Sequence, residues 1–207
     1  MVGVITGDIV NSRSQGEPEN WLNPLKAYFK KNIGLEPGKW EVYRGDSFQV
    51  LVPPVHSLRI ALEIKSLILT IDKLDARMAI GIGNTGYNGS SISESTGEGF
   101  HRSGESFEML KTLKRELIIK TPWSEFDEEF NLILQFLQIA MESWTPVSAK
   151  TAFLVLQNPE VQQYELAQQL DISQPSISAR YNRAHLSEIL SLIKYFEKRV
   201  SHLYSPA

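Results

Sequence analysis

The order of strand-like and helix-like segments in the first 120 residues constrains the fold more than any single motif. Val2–Val10 is dense in β-branched residues, which is typical of a buried strand. Helical spacing of apolar residues begins at Trp21, recurs from Ser57 to Ile71, and begins again near Phe100. Further strands are indicated at residues 40–43, 48–52, 76–83 and 117–119. The resulting order, β-α-β-β-α-β-α-β, predicts a sheet with helices on its faces, of the α+β or α/β class.

A hairpin is predicted where two of these strands follow each other. Gly45-Asp46 stands between them and matches the type I′ preference for a two-residue turn, which would leave the Asp46 carboxylate facing outward at the tip. Asp8, near the end of the first strand, is a candidate partner if the strands are neighbours. Two close carboxylates repel, and Mg²⁺ relieves this by binding one or two carboxylates. Asp8 and Asp46 are therefore a candidate metal site, and the alternative is ordinary turn chemistry at both positions.

After Pro122 the pattern is helical throughout. One long amphipathic helix is predicted within 123–144, and it could pack on the sheet, bridge to the next domain or form a dimer face. Four further helices are predicted beyond Thr145. We therefore divide the chain into a sheet domain (1–122), a connecting helix (123–144) and an all-α domain (145–207).

Two of the last four helices show a helix-turn-helix pattern. Ala167 is the small residue where the helices would touch, and Ile177, ten positions later, would anchor the second helix. Leu166, Leu170 and Ile172 would fill the crevice between them. Asp171 occupies the turn where glycine is common, and aspartate tolerates the left-handed conformation.

The outer face of the second of these helices carries hydrogen-bonding side chains suited to phosphates and base edges. They are Ser173, Gln174, Ser176, Ser178, Arg180, Asn182 and Arg183. No acidic residue lies between Asp171 and Glu188. The region from Thr145 has six basic and five acidic residues, a net charge of +1, which favours a homodimer reading two DNA half-sites. The alternative is a plain four-helix bundle with a solvated polar face.

Composition sets broader limits. The net charge is −3, which argues against a generally basic nucleic-acid-binding surface. The chain has no cysteine, so disulfides, thiolate metal sites and cysteine nucleophiles are excluded. We find neither a signal-peptide pattern nor the apolar run of roughly 18 residues that a membrane span needs, and we expect a cytoplasmic protein without a membrane partner.

Four short motifs resemble, in order and spacing, those of the SatD-like family of bacterial proteins. They are residues 7–12 (Gly-Asp-Ile-Val-Asn-Ser), 45–49 (Gly-Asp-Ser-Phe-Gln), 77–83 (Arg-Met-Ala-Ile-Gly-Ile-Gly) and 95–100 (Ser-Thr-Gly-Glu-Gly-Phe), followed by the helix-turn-helix pattern. The resemblance covers nearly the whole chain, but the function of that family is poorly defined.

The same motifs more distantly resemble the class III nucleotide cyclase catalytic domain. This resemblance implies a cyclase-like (ferredoxin-like) α+β sandwich, with Asp8 and Asp46 as metal-binding carboxylates. The cyclase helix supplies an Asn and an Arg to the transition state, and the matching positions here are His101 and Glu105. Cyclase activity is therefore not expected, because glutamate would repel a triphosphate. The candidate ligand-binding residues are two arginines that could take the place of the cyclase arginine and a glycine whose loop amides could hold an anion: Arg44, Arg102 and Gly97.

Three functional hypotheses follow. The first is a DNA-binding transcriptional regulator whose sheet domain senses a metal, a nucleotide or another phosphorylated ligand. The second is a metal-dependent nucleotidyl or phosphoryl transferase that uses Asp8 and Asp46. The third is a protein whose two domains both serve protein association.

Overall fold

A computed structural model describes residues 1–14, 17–35, 38–87 and 89–204, which form five strands and eight α-helices. The strands are β1 (Val2–Val10), β2 (Trp40–Tyr43), β3 (Ser47–Val52), β4 (Asp75–Gly83) and β5 (Leu117–Lys120). The helices are α1 (Glu19–Asn32), α2 (Ser57–Ile68), α3 (Glu98–Leu113), α4 (Ser124–Met141), α5 (Pro146–Gln157), α6 (Gln163–Leu170), α7 (Gln174–Arg183) and α8 (Leu186–Tyr204). The α+β class predicted from the sequence is confirmed. Within the described ranges, no helix has the length and apolar character needed to cross a membrane.

The strands form one mixed sheet in the order β2-β3-β1-β4-β5. β1 lies at the centre and pairs antiparallel with β3 and β4, whereas β5 pairs parallel to β4. The register places Asp8 beside Ser47 of β3 and Arg77 of β4, and it places Val2 beside Gly83. Because β1 and β4 run in opposite directions, the end of β1 lies beside the start of β4. This register decides which loops share an edge of the sheet.

Helices cover both faces of the sheet. Side chains alternate between the faces along each strand. Ile5 belongs to the main hydrophobic core together with Leu25 of α1 and Leu62 of α2. On the opposite face, Thr6 donates a hydrogen bond to Ser103 of α3 (Oγ1–Oγ 3.0 Å). The sheet is therefore the middle layer of a three-layer unit.

Close packing of α3 on β4 requires glycine at position 81. A Cβ atom added to Gly81 would lie 2.2 Å from the carbonyl oxygen of Gly99 and 2.4 Å from the backbone nitrogen of Ser103. Both obstacles are backbone atoms, which cannot move aside as a flexible side chain can. Glycine thus sets the distance between this helix and the sheet.

α4 covers the edge strand β5 and also packs on α8. Asn131 forms two hydrogen bonds with the backbone of Ile119: its Oδ1 accepts from the N–H and its Nδ2 donates to the carbonyl oxygen, each at 2.8 Å. These bonds occupy edge groups that another chain could otherwise pair with. On the side towards α8, Phe126 and Phe130 pack against Phe196. The buried face of α4 therefore contacts both the sheet and the C-terminal helices.

α2 joins the sheet to the C-terminal helices from the other side. It packs on β1 and β4 and also on α5. Glu63 of α2 accepts hydrogen bonds from Tyr28 of α1 (2.6 Å) and from Gln157 of α5 (2.7 Å). Arg59 of α2 donates to Glu197 of α8 (Nε–Oε1 3.0 Å). One continuous core therefore extends from the sheet into α8.

Glu63 makes the stability of this junction dependent on pH. Burial raises the pKa of the Glu63 carboxyl above its usual value, and the hydrogen bonds from Tyr28 and Gln157 offset this effect only in part. The native state therefore binds the proton more readily than the unfolded state. The contribution of this group to stability is fully present below the unfolded pKa and is lost as pH rises through the folded pKa.

We expect Glu63→Gln to raise the free energy of unfolding at pH 8, because glutamine keeps an acceptor oxygen for both donors and removes the buried charge. Each unit of pKa elevation corresponds to about 1.4 kcal/mol, and the gain should shrink towards zero near pH 4. Urea denaturation of both proteins at the two pH values measures this difference. A variant less stable than wild type at pH 8 would contradict the prediction.

Candidate functional site

The hairpin between β2 and β3 has a three-residue loop, Arg44-Gly45-Asp46, because Tyr43 pairs directly with Ser47. Arg44 (φ 53°) and Gly45 (φ 90°) are both left-handed. The two-residue turn predicted at Gly45-Asp46 is therefore wrong, and Asp46 is not at an outward tip. Its backbone oxygen accepts a hydrogen bond from the Ile9 N–H (3.0 Å), which draws Asp46 into the pairing with β1.

Asp8 and Asp46 lie at the same end of the sheet but have different partners. The Asp8 carboxylate forms a two-bonded ion pair with Arg77, in which Nε donates to Oδ1 (3.1 Å) and Nη2 donates to Oδ2. The Asp46 Oδ2 accepts a hydrogen bond from the Ser12 hydroxyl (2.7 Å). The charge of Asp8 is thus balanced within the protein, so repulsion between the carboxylates no longer requires a cation. Among the described residues, no group of three or more His, Asp or Glu side chains is arranged to hold a metal ion, and the Mg²⁺ site at Asp8 and Asp46 stays a prediction.

The candidate ligand-binding residues do not come together. Arg44 lies near Asp46, whereas Gly97 and Arg102 lie at the start of α3, beside the end of β4. Arg102 donates hydrogen bonds to the carbonyl oxygen of Ile82 (2.8 Å) and to Glu98 (3.2 Å). Val2 and Asp8, which mark the two ends, are six positions apart in β1, or about 20 Å at the rise of a strand. Gly97 and Arg102 therefore cannot share a small ligand with Arg44.

A cleft of about 430 Å³ opens beside the hairpin. It is lined by residues of the β1–α1 connection, of α1 and of the hairpin loop: Ser12, Arg13, Pro18, Trp21, Arg44, Gly45 and Asp46. We call this the hairpin cleft. Of these residues, Arg44 is predicted from the sequence to bind a ligand and Asp46 to bind a metal ion. The sequence pattern assigns Trp21 to the apolar stripe of a helix and Arg13 to a polar loop, so neither carries a signal for this cleft.

A tight turn joins α6 and α7. Asp171 adopts the left-handed conformation (φ 51°, ψ 49°), as predicted for the residue in place of glycine. The N–H of Ile172 donates to the carbonyl oxygen of Ala167 (3.0 Å), which closes the end of α6. Ser173 caps α7 by accepting a hydrogen bond from the N–H of Ser176 (3.4 Å). The relative orientation of the two helices is thus held by local hydrogen bonds.

α7 buries very little of itself. Ile177 is the buried residue of this ten-residue helix, and it packs in the main core with Leu166 and Ala167 of α6. The predicted DNA-contacting residues lie on the rest of its surface: Ser173, Gln174, Ser176, Asn182 and Arg183 are exposed, and Ser178 and Arg180 are half-buried. In the described part of the chain, neither Arg180 nor Arg183 takes part in an ion pair. The surface of α7 therefore carries two unneutralised guanidinium groups and no carboxylate.

A second exposed surface lies on α4, facing away from the sheet. Leu132, Phe136 and Ile139 are 54%, 65% and 63% exposed. We call these three residues the α4 stripe. Beside it, an apolar groove of about 330 Å³ runs between α4 and the first turns of α8, with Phe136 on one wall and His185 on the other. Exposed apolar residues so close together on one helix are typical of an interaction surface.

The sequence matches no protein-family model, and a search of curated proteins finds no match either.

Proposed function

We propose that the protein is a DNA-binding transcriptional regulator in which α6, the turn at Asp171 and α7 act as a helix-turn-helix. The observation that carries this proposal is the surface of α7, which offers two unpaired arginines among neutral hydrogen-bonding side chains and has no carboxylate. In such a motif the second helix enters the major groove. Arginine and glutamine on that helix suit guanine and adenine edges.

The local geometry favours this interpretation over a plain helical bundle. A helix that serves mainly to fill a core buries a continuous apolar stripe, whereas α7 buries Ile177 alone. The cap at Ser173 and the closed turn at Asp171 hold α7 at a defined angle even though it contributes little to the core. The polar residues of α7, which a plain helical bundle would not need, are thus held in a fixed orientation on the surface.

Titration of fluorescently labelled genomic fragments at low salt tests DNA binding. We expect saturable binding that weakens as salt rises, because contacts to phosphates release counterions. A competitor of unrelated sequence should displace the specific fragment poorly. Absence of binding to every fragment at low salt would overturn the proposal.

A homodimer fits this function, because the C-terminal region has a net charge of only +1 and two copies would double its phosphate contacts. We place the dimer contact at the α4 stripe, with a second copy of this chain as the occupant. The stripe and the apolar groove beside it form one exposed apolar surface. A two-fold contact between two copies would cover this surface on both at once.

We expect Phe136→Glu to turn the dimer into a monomer that keeps its helical content, because a carboxylate would be buried at the centre of the contact. Analytical ultracentrifugation and circular dichroism measure the two properties. Leu35→Glu is the matched control, since Leu35 is also exposed and apolar but lies far from α4. A wild-type protein that stays monomeric at high concentration would contradict the placement of the dimer at this surface.

For the sheet half we propose a sensing role. The strand order β4-β1-β3-β2, with α1 and α2 on one face, supports the ferredoxin-like, cyclase-like interpretation. Tyr28 of α1 and Gln157 of α5 share Glu63, so a ligand that shifts α1 would act on the C-terminal helices through this residue. A transferase is less well supported, because Arg102 is too far from Asp8 and Asp46 to stabilise a transition state there.

A further inference from the structure

We propose that the hairpin cleft binds a small organic phosphate. This inference deepens the sensing role proposed for the sheet half, since it names the class of ligand and the residues that hold it. It does not depend on DNA binding by α7. The cleft lies where the β2–β3 hairpin meets the β1–α1 connection, and Gly97 and Arg102 take no part in it.

Two hydrogen bonds join the walls of the cleft. The backbone of Asp46 accepts from the Ile9 N–H (3.0 Å), and its carboxylate accepts from the Ser12 hydroxyl (2.7 Å). The hairpin loop that carries Arg44 is thereby tied to the segment that carries Arg13. Two guanidinium groups far apart in sequence consequently line one opening. An anion binds most tightly when its hydrogen-bond donors are already held in place before binding.

The charges in the cleft favour an anion. Both Arg13 and Arg44 are exposed, and within the described residues neither one makes a hydrogen bond or an ion pair through its side chain. Asp46 is the one carboxylate among the lining residues that the structure describes, and Ser12 already donates to one of its oxygens. The lining therefore has a surplus of one positive charge. Arginine is the side chain best suited to phosphate, because its planar fork donates two parallel hydrogen bonds.

The size of the cleft indicates an organic ligand. Its volume of about 430 Å³ falls within the usual range for small-molecule sites and far exceeds what a bare phosphate ion would fill. Pro18 is exposed in the cleft and supplies apolar surface beside the arginines. A phosphate group near the arginines and an apolar body against Pro18 would use both parts of the lining.

Calorimetric titration with phenyl phosphate tests the proposal, with phenol and benzoate as matched probes that lack the phosphate. The full-length protein is titrated with and without Mg²⁺. We expect phenyl phosphate to bind and the other two to bind at least about tenfold more weakly, because only the phosphate engages both arginines. Benzoate binding equal to that of phenyl phosphate would overturn the assignment to phosphates.

Arginine variants locate the binding site. Arg13→Gln and Arg44→Gln should each weaken phenyl phosphate binding by about ten- to a hundredfold, as expected for loss of a charged hydrogen-bonding partner. Arg183→Gln, which alters another exposed arginine, should leave this binding unchanged. If both cleft variants bind as wild type does, or if wild type does not bind, the proposal is wrong.

The same variants separate this proposal from DNA binding. Arg44→Gln should keep the DNA affinity of the ligand-free protein, whereas Arg183→Gln should lower it. Phosphate binding that depends on Arg13 and Arg44 in a protein without DNA affinity would support the cleft and overturn the proposed regulator. A protein that binds DNA but not phenyl phosphate would support the proposed regulator and overturn the proposal for the cleft.

Discussion

Replacing Arg180 and Arg183 together with glutamine should lower the affinity for a specific DNA fragment by about a hundredfold or more. An arginine that donates two hydrogen bonds to a guanine edge contributes about 1–3 kcal/mol, and an arginine on a phosphate contributes to binding of every sequence. Neither side chain has an ion-pair partner in the described structure, so their removal leaves no carboxylate unpaired. Fluorescence anisotropy at several salt concentrations measures the loss.

The single variants Arg180→Gln and Arg183→Gln should show how much each arginine contributes to DNA affinity and to sequence preference. An arginine that reads a base should relax sequence preference when it is replaced, whereas one on a phosphate should weaken all sequences alike and reduce the salt dependence by about one unit. Lys150→Gln is the control, because Lys150 is an exposed cation of α5 outside the α7 surface. Thermal unfolding should be nearly unchanged in all four proteins. Unaltered DNA affinity in the double variant would mean that α7 is not the recognition helix.

Phe130→Ala should lower the free energy of unfolding by about 3–5 kcal/mol, the usual cost of removing a buried aromatic ring. Phe130 is 1% exposed. Its ring stacks on Phe126 with a centroid distance of 4.3 Å and meets Phe196 of α8 edge-on at 5.2 Å. Alanine would leave a cavity where α4 and α8 meet. Chemical denaturation of the monomeric protein measures the change.

Phe136→Ala is a matched control on the same helix. Phe136 is 65% exposed, so its truncation should change monomer stability by no more than about 0.5 kcal/mol. The same variant should weaken self-association, since Phe136 lies at the centre of the α4 stripe. Both effects together would separate the two faces of α4. Equal loss of stability in the two variants would show that Phe136 belongs to the core of the monomer.

Local chemistry accounts for the parts of the fold that the sequence predicts well. Strand and helix periodicity needs only neighbouring residues, and so the order of elements up to β5 is predicted correctly. The left-handed turn at Asp171 follows from the tolerance of aspartate for that conformation. The hairpin loop is mispredicted because its length depends on β1. Asp46 bonds to Ile9, and this pairing across more than thirty residues makes the loop one residue longer than a type I′ turn.

The class of the fold, the two helices that flank Asp171 and the lack of carboxylates on α7 follow from the sequence alone, because each depends on residues close together in the chain. The residues that meet at the ends of the sheet are set by the pairing of distant strands. The antiparallel register of β1 and β4 gives Asp8 an arginine partner 69 positions away and places Arg102 at the opposite end. The same folding brings Arg13, Trp21 and Arg44 around one cleft. Contacts between such distant residues depend on strand register, and a shift of one residue would change all of them. A local sequence pattern therefore cannot predict these contacts.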